Sequence, residues 1–229
     1  MNKRLERILS YIQDGTGVID VGTDHGYLPA ALAAQGYSGN ILAADIRSGP
    51  LNSAIRTAEA AAVSDRIDFL LCDGLDKCPP EAVDTIVIAG MGGDTICGIL
   101  DRAEWCMDRR YHLILQPMTR AEVLRYWLIY NEFEIIMEDL IDDSGEIYPL
   151  FTARFGGSTK LSDAELYTGS YGMIRENPLF REFLHRQITR FERAAKGLRS
   201  AARADASGRL AIMETILKQL MEMMDYADC

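Results

Sequence analysis

The chain has 229 residues, 48% hydrophobic and 25% charged, a globular balance with room for one large domain or a domain and an appendage. No apolar run nears the ~20 residues that cross a bilayer, and Met1–Ile8 is too densely charged for a signal peptide, so a soluble, cytoplasmic protein is expected. The net charge of −10 argues against a nucleic-acid partner for the chain as a whole, although the charge is unevenly spread.

Residues 2–13 read as a short amphipathic helix with Leu5, Ile8, Leu9 and Ile12 on one face. Strand and helix signals then alternate. Val18–Val21 is a strand and Leu28–Gln35 a helix; Asn40–Asp45 is a strand, followed by a helix over Leu51–Ala62. Ile67–Cys72 is a third strand. Asp84–Ala89 is a fourth, apolar enough for burial on both faces. A helix around Thr95–Arg102, a strand Tyr111–Leu115 and a helix Arg120–Asn131 follow, the last opened by a capping box of Thr119 and Glu122. Phe133–Leu140 and Tyr148–Phe155 are joined by the turn-forming Asp142–Gly145. Alternating βα units closed by an antiparallel hairpin predict a doubly wound α/β fold, with the Rossmann-like seven-stranded sheet found in methyltransferases.

After Gly156-Gly157-Ser158 the pattern becomes helical. Ser162 and Glu165 open a short helix, and Asn177-Pro178 starts a long one. In the long helix Leu184, Ile188, Phe191, Ala195, Leu198 and Ala202 step by 4, 3, 4, 3 and 4. Asp205–Gly208 breaks it, and a last helix carries Leu210, Met213, Leu217, Leu220 and Met224. Two such seams joined by a polar break predict a C-terminal antiparallel helical coiled-coil domain. The expected domains are residues 1–158 and 159–229. The first holds 13 basic against 24 acidic residues, the second 11 against 10. Within Arg181–Arg209, eight bases face three acids. Arg186, Arg190, Arg193 and Lys196 form one stripe that is either a solvated face or a phosphate-docking surface.

The motif with most chemical content is Val18–Pro29, where an apolar strand ends in Asp20 and turns at Gly22 into a helix. A parallel sheet presents its first strand to a nucleotide-like ligand in this way. Of the residues in this turn only Gly22 and Gly26 are glycine, so the pyrophosphate-binding pattern of dinucleotide folds is absent. A ligand with an adenosine and no phosphate fits, as S-adenosylmethionine does. Asp45 lies 25 residues after Asp20 at the next strand end, where a carboxylate can accept from both ribose hydroxyls; Ile46 follows it. Asp73-Gly74 ends the third strand, placed for an adenine amino group. Gly90-Met91-Gly92-Gly93 follows the fourth strand, either a close backbone approach to a ligand or a tight turn. Gln116-Pro117 ends the fifth, with the Gln116 amide either reading a base edge or satisfying the backbone. In the first loop Asp24 either accepts from a substrate amino group or caps a helix. His25 either shuttles a proton or orients its neighbours, and Tyr27 either stacks on a base or packs inward.

The five cysteines, Cys72, Cys78, Cys97, Cys106 and Cys229, form no C-x-x-C pair. With only three histidines in the chain, no metal site is expected and the thiols are expected to be reduced and structural.

The string Asp20-Val21-Gly22-Thr23-Asp24-His25-Gly26-Tyr27-Leu28-Pro29, with Gly90–Gly93 and Leu115-Gln116-Pro117, resembles the bacterial tRNA (adenine-22-N1)-methyltransferases. The resemblance spans essentially the full length. It implies methyl transfer from S-adenosylmethionine to N1 of adenosine 22 in the D-arm of tRNA. It also implies cofactor contacts at the Asp20–Tyr27 loop, Asp45, Asp73 and Gly90. The base would lie near Asp24, His25, Gly90–Gly93 and Gln116. An adenine methylated at N1 is cationic, and Asp24 is the carboxylate expected to stabilise that charge. The basic excess within Arg181–Arg209 favours phosphate contact, so Arg186, Arg190 and Arg193 are expected to hold tRNA, with the C-terminal helices also available for oligomerisation. Two other readings are a methyltransferase of a small molecule or protein, and a non-catalytic module that keeps the cofactor fold.

Overall fold

The computed structural model describes residues 3–200 and 206–227. The chain divides into two compact units, Met1–Met137 with Ile141–Thr159, and Glu138–Leu140 with Lys160–Cys229.

The first unit contains helix α1 (Lys3–Leu9) and then the strands and helices β1 (Val18–Val21), α2 (Tyr27–Ala34), β2 (Ile41–Asp45), α3 (Ser48–Ala60) and β3 (Asp68–Leu71). These are followed by β4 (Thr85–Gly92), α4 (Gly93–Arg102), β5 (His112–Thr119), α5 (Ala121–Tyr130), β6 (Phe133–Asp143) and β7 (Glu146–Phe155). The seven strands form one sheet in the order β3-β2-β1-β4-β5-β7-β6. The first five are parallel, and β7 runs antiparallel to β5. Every residue of β1 and β2 is buried, as expected for central strands covered on both faces. In α3 the buried residues Leu51, Ala54 and Ala58 occupy one face. Because β1 lies between β2 and β4, the chain reverses its direction of winding there. That opens a crevice at the carboxyl ends of β1 and β4.

The seven-stranded doubly wound fold matches the expectation, with differences at element ends. Helix α1 stops at Leu9, short of residue 13. Strand β4 does not end at Ala89. It continues to Gly92 beside β5, with register irregularities at Ala89/Met91 and Met91/Gly92, so the expected turn is a bulged strand end. The Thr119 capping box is absent. Thr119 pairs with Gly92 inside β5, and α5 starts from Arg120 in a left-handed conformation without a side-chain cap. The β6–β7 turn is the two-residue Ser144-Gly145, both at positive φ, and Asp142 Oδ1 accepts from the Gly145 N–H at 3.0 Å.

The second unit contains α6 (Asp163–Thr168), α7 (Tyr171–Ile174), α8 (Phe180–Ser200) and α9 (Ala206–Ala227). The Ser162–Glu165 capping box is present. The Ser170 N–H donates to Glu138, and Asn177 Nδ2 donates to Asp139 Oδ1 at 2.6 Å, which ties the strand residues of this unit to its helices. Helices α8 and α9 pack as an antiparallel hairpin. Arg199, late in α8, pairs with Glu214, early in α9, while Met224 faces Pro178 and Arg181. The long helix starts at Phe180, two residues past Pro178. On α9 Ile216, Leu220 and Met223 are buried and Leu210, Met213, Leu217 and Met224 are half-buried, so the expected seam of Leu210, Met213, Leu217, Leu220 and Met224 lies on the packed face, which Ile216 and Met223 widen by one position. Gly208 lies inside α9 and breaks nothing. Ala202, Arg203, Asp205 and Cys229 lie outside the described residues. No described helix is long and apolar enough to cross a membrane.

Candidate active site

Two adjoining cavities open at the carboxyl ends of the parallel strands. The first, about 490 Å³, is lined by the ends of β1, β2, β3 and β4 and by one face of α4. The second, about 350 Å³, lies between the first loop, α1 and β5. Gly22, Asp24, Ala89 and Gly90 line both and form their shared wall. The bulge in β4 accounts for Gly90. At φ +78°, with no atom near a virtual Cβ, it turns its backbone into this wall.

Val21, Ala44, Ile46 and Ile99 give the first cavity an apolar side. Asp45 is buried at its edge and accepts the Arg47 N–H at 2.8 Å through one carboxylate oxygen. Asp73 also lines it, held by Arg102 Nη2 at 2.8 Å. Arg102 further donates to Asp76 at 3.3 Å and to the Gly98 carbonyl at 3.0 Å, so the guanidinium is fixed in orientation. Asp20 lies under the loop, buried, and lines the second cavity. Burial raises its carboxyl to about 6, with the Asp45 charge adding to the effect and the Thr23 side chain opposing it.

In the first loop Asp24 adopts a left-handed backbone at φ +43°. It does not cap α2, whose N-cap is Gly26 with no side-chain bond. His25 Nδ1 lies 3.1 Å from Ser53 Oγ on α3, and Nε2 lies 3.6 Å from Asp24 Oδ2. The His25 ring stacks on Tyr27 at 5.4 Å. Tyr27 is 54% exposed and lines the second cavity, so it does not pack inward.

The structure therefore gathers Asp20, Gly22, Asp24, His25, Tyr27, Asp45, Ile46, Asp73, Gly74, Gly90 and Met91 around these two cavities. It does not bring Gly92, Gly93, Gln116 or Pro117 to either. Gln116 is fully buried. Its Oε1 accepts the Gly90 N–H at 3.2 Å and its Nε2 donates to the Pro117 carbonyl at 3.0 Å, so the amide satisfies backbone and supports the bulge from behind. Arg4, Arg47, Thr95 and Arg102 line the cavities without a sequence signal that marks them, and Thr23 joins them from within the first-loop string. Cys78, Cys97 and Cys106 are buried free thiols raised by burial to about 12, which suits packing and not reactivity. Among the described residues no group of His, Cys, Asp and Glu could hold a metal ion.

In the helical unit Arg186 pairs with Glu182 at 2.5 Å. Arg190 and Arg193 are exposed and have no carboxylate partner among the described residues; Arg190 lies 6.0 Å from the Tyr167 ring.

Residues 1–151 match the family model described as a methyltransferase domain. The tRNA (adenine(22)-N(1))-methyltransferase of Bacillus subtilis strain 168 is 33% identical over 156 residues, which cover 68% of this chain and 66% of that relative. The chain thus matches just under two thirds of that relative's length. Among solved structures, the B. subtilis tRNA methyltransferase TrmK aligns at a TM-score of 0.86 and 26% identity over 98% of each chain. M. capricolum TrmK, solved with S-adenosyl-homocysteine, aligns at 0.79 and 26% identity over 100% of this chain and 98% of that one.

Proposed function

The chain belongs to the methyltransferase-domain family that matches residues 1–151, and we propose that it transfers a methyl group from S-adenosylmethionine to N1 of adenosine 22 in tRNA, in the cytoplasm. The observation that carries this reading is the pair of cavities meeting at Gly22, Asp24, Ala89 and Gly90. A methyltransferase needs donor and acceptor sites that share a wall, and cavities of 490 and 350 Å³ lie in the range for small-molecule sites. The relatives named for this reaction, and the neighbour solved with S-adenosyl-homocysteine, support the same assignment.

The residues of the first cavity fit the cofactor. The Asp45 oxygen not engaged by Arg47 is available to the ribose hydroxyls, and Asp73 and Gly74 border the adenine end. Asp20, raised by burial, lines the second cavity instead and gains a counter-charge from an amino-acid ammonium group that reaches past the shared wall. When bound, S-adenosylmethionine supplies an electrophilic methyl on a sulfonium. The adenine N1 brings its own lone pair, so the protein needs to generate no strong base. Its contribution is positioning, with the base drawn out of its pairing and into the second cavity. Tyr27, already stacked on His25, gives the base a face to stack on. Asp24, on the shared wall, accepts from the exocyclic amine and stabilises the positive charge that develops on the ring. His25 holds the loop through Ser53. Arg190 and Arg193 of the helical unit engage tRNA phosphates, Arg186 joining them if it exchanges Glu182 for phosphate.

Incubation with S-adenosylmethionine and unmodified tRNA transcripts, followed by nucleoside mass spectrometry, tests the reaction. 1-Methyladenosine is expected; its absence with cofactor binding intact moves the assignment to a small-molecule or protein acceptor, or to a recruitment module. Asp24→Asn is expected to lower kcat about 10–100-fold while tRNA affinity holds. An unchanged kcat removes Asp24 from its role.

A further inference from the structure

The second cavity holds two polar groups without a good partner in the protein. Arg4, on α1, lies on its wall, half-buried. Its guanidinium Nη1 donates to the thioether of Met118 at 3.1 Å, and sulfur is a weak acceptor. No carboxylate pairs with Arg4 among the described residues. Thr23 lines the same cavity at 6% exposure; its buried Oγ1 is near enough to Asp20 to favour that carboxylate's charged form but is left without a well-formed hydrogen bond. A cation partly withdrawn from water beside an unsatisfied hydroxyl is costly unless a ligand completes both. The guanidinium fork matches a phosphate, which every nucleotide entering the cavity must carry.

We propose that Arg4 binds the backbone phosphate next to the target adenosine, with the Thr23 hydroxyl donating to the same nucleotide. This makes α1 part of the RNA-binding wall of the catalytic unit. The inference rests on the tRNA reading above and extends it to two residues and a helix with no assigned role.

Arg4→Gln, Arg4→Lys and the isosteric Thr23→Val in the full chain test it, with an unmodified tRNA transcript as probe. Equal S-adenosylhomocysteine affinity in the wild type and both Arg4 variants serves as the check that the cavities are folded, and an unchanged melting temperature serves that purpose for Thr23→Val. Arg4→Gln should raise the KM for tRNA about 10-fold or more and flatten the slope of log Kobs against log[KCl] by about 0.7–0.9, the share of one phosphate contact. Arg4→Lys should keep the slope and recover most of the affinity. Thr23→Val should weaken tRNA binding several-fold with the slope unchanged. If the wild-type protein forms 1-methyladenosine and Arg4→Gln leaves both KM and slope unchanged, the inference is wrong and the tRNA reading stands. If the wild-type protein forms none, the tRNA reading falls and the inference falls with it.

Discussion

Asp20 combines two demands that conflict. It sits at the end of the first strand, where a carboxylate can meet the cationic end of a cofactor, and it is buried there. Its folded value of about 6 lies above the ordinary 3.8, so the folded state favours the proton. The stability from this group is complete below about pH 4 and is lost as pH rises through 6. Asp20→Asn should therefore raise Tm by several degrees at pH 8 and leave it unchanged at pH 4; a two-unit shift is worth about 3 kcal/mol at most. The same substitution should weaken cofactor binding at pH 8. In the wild type, cofactor affinity should climb with pH through this interval, and calorimetry at three pH values checks it. Strain at a functional site offset by stability elsewhere is a common pattern. Strand-end acids such as Asp20, Asp45 and Asp73 were readable from the sequence because each terminates an apolar run. Arg4 was not, because its meaning depends on α1 lying along the cavity, which no local pattern encodes.

At the scale of elements, the connection from β1 to α2 is packed closely against α3. Gly26 has φ +68° as the N-cap of α2, and a Cβ there would meet Ala54 Cβ at 2.7 Å and Ala54 Cα at 2.8 Å on α3. Gly26→Ala should cost about 1–3 kcal/mol through the backbone conformation alone, and more through displacement of α3. Because His25 is held by Ser53 on α3, methyl transfer should fall further than cofactor affinity; thermal melts and single-turnover rates compare the two. Parallel strands buried on both faces were legible as apolar runs, and so were helices with one apolar stripe. The carboxyl ends of β4 and β5 were not. Gly90–Gly92 and Gln116–Thr119 look like turn sequences, yet they pair through a bulge in which the Gln116 side chain supplies a hydrogen bond that the ladder lacks. Side-chain completion of a strand end leaves no periodic trace.

For the whole molecule, the net charge of −10 conceals a basic stripe on α8. Arg190, Arg193 and Lys196 are exposed and have no carboxylate partner among the described residues, whereas Arg186 and Arg199 are paired with Glu182 and Glu214. Replacing Arg190, Arg193 and Lys196 together by Ala should reduce tRNA affinity at least 10-fold at low salt. It should also flatten the salt dependence by about two to three units, while cofactor affinity holds. A solvated face would leave both unchanged. The helical periodicity of this unit was legible, but the α9 seam was read too narrowly: Ile216 and Met223 are buried beside the half-buried Leu210, Met213, Leu217 and Met224, because a helix packed on both α8 and α6 buries a face wider than a single heptad seam. The central claim is that the shared wall of the two cavities brings the adenosine-22 N1 to the methyl donor. It is tested most directly by position-mapped mass spectrometry on paired transcripts, one natural and one with adenosine 22 replaced by guanosine. The account predicts 1-methyladenosine at position 22 of the first and none anywhere in the second; methylation of both, or of neither, contradicts it.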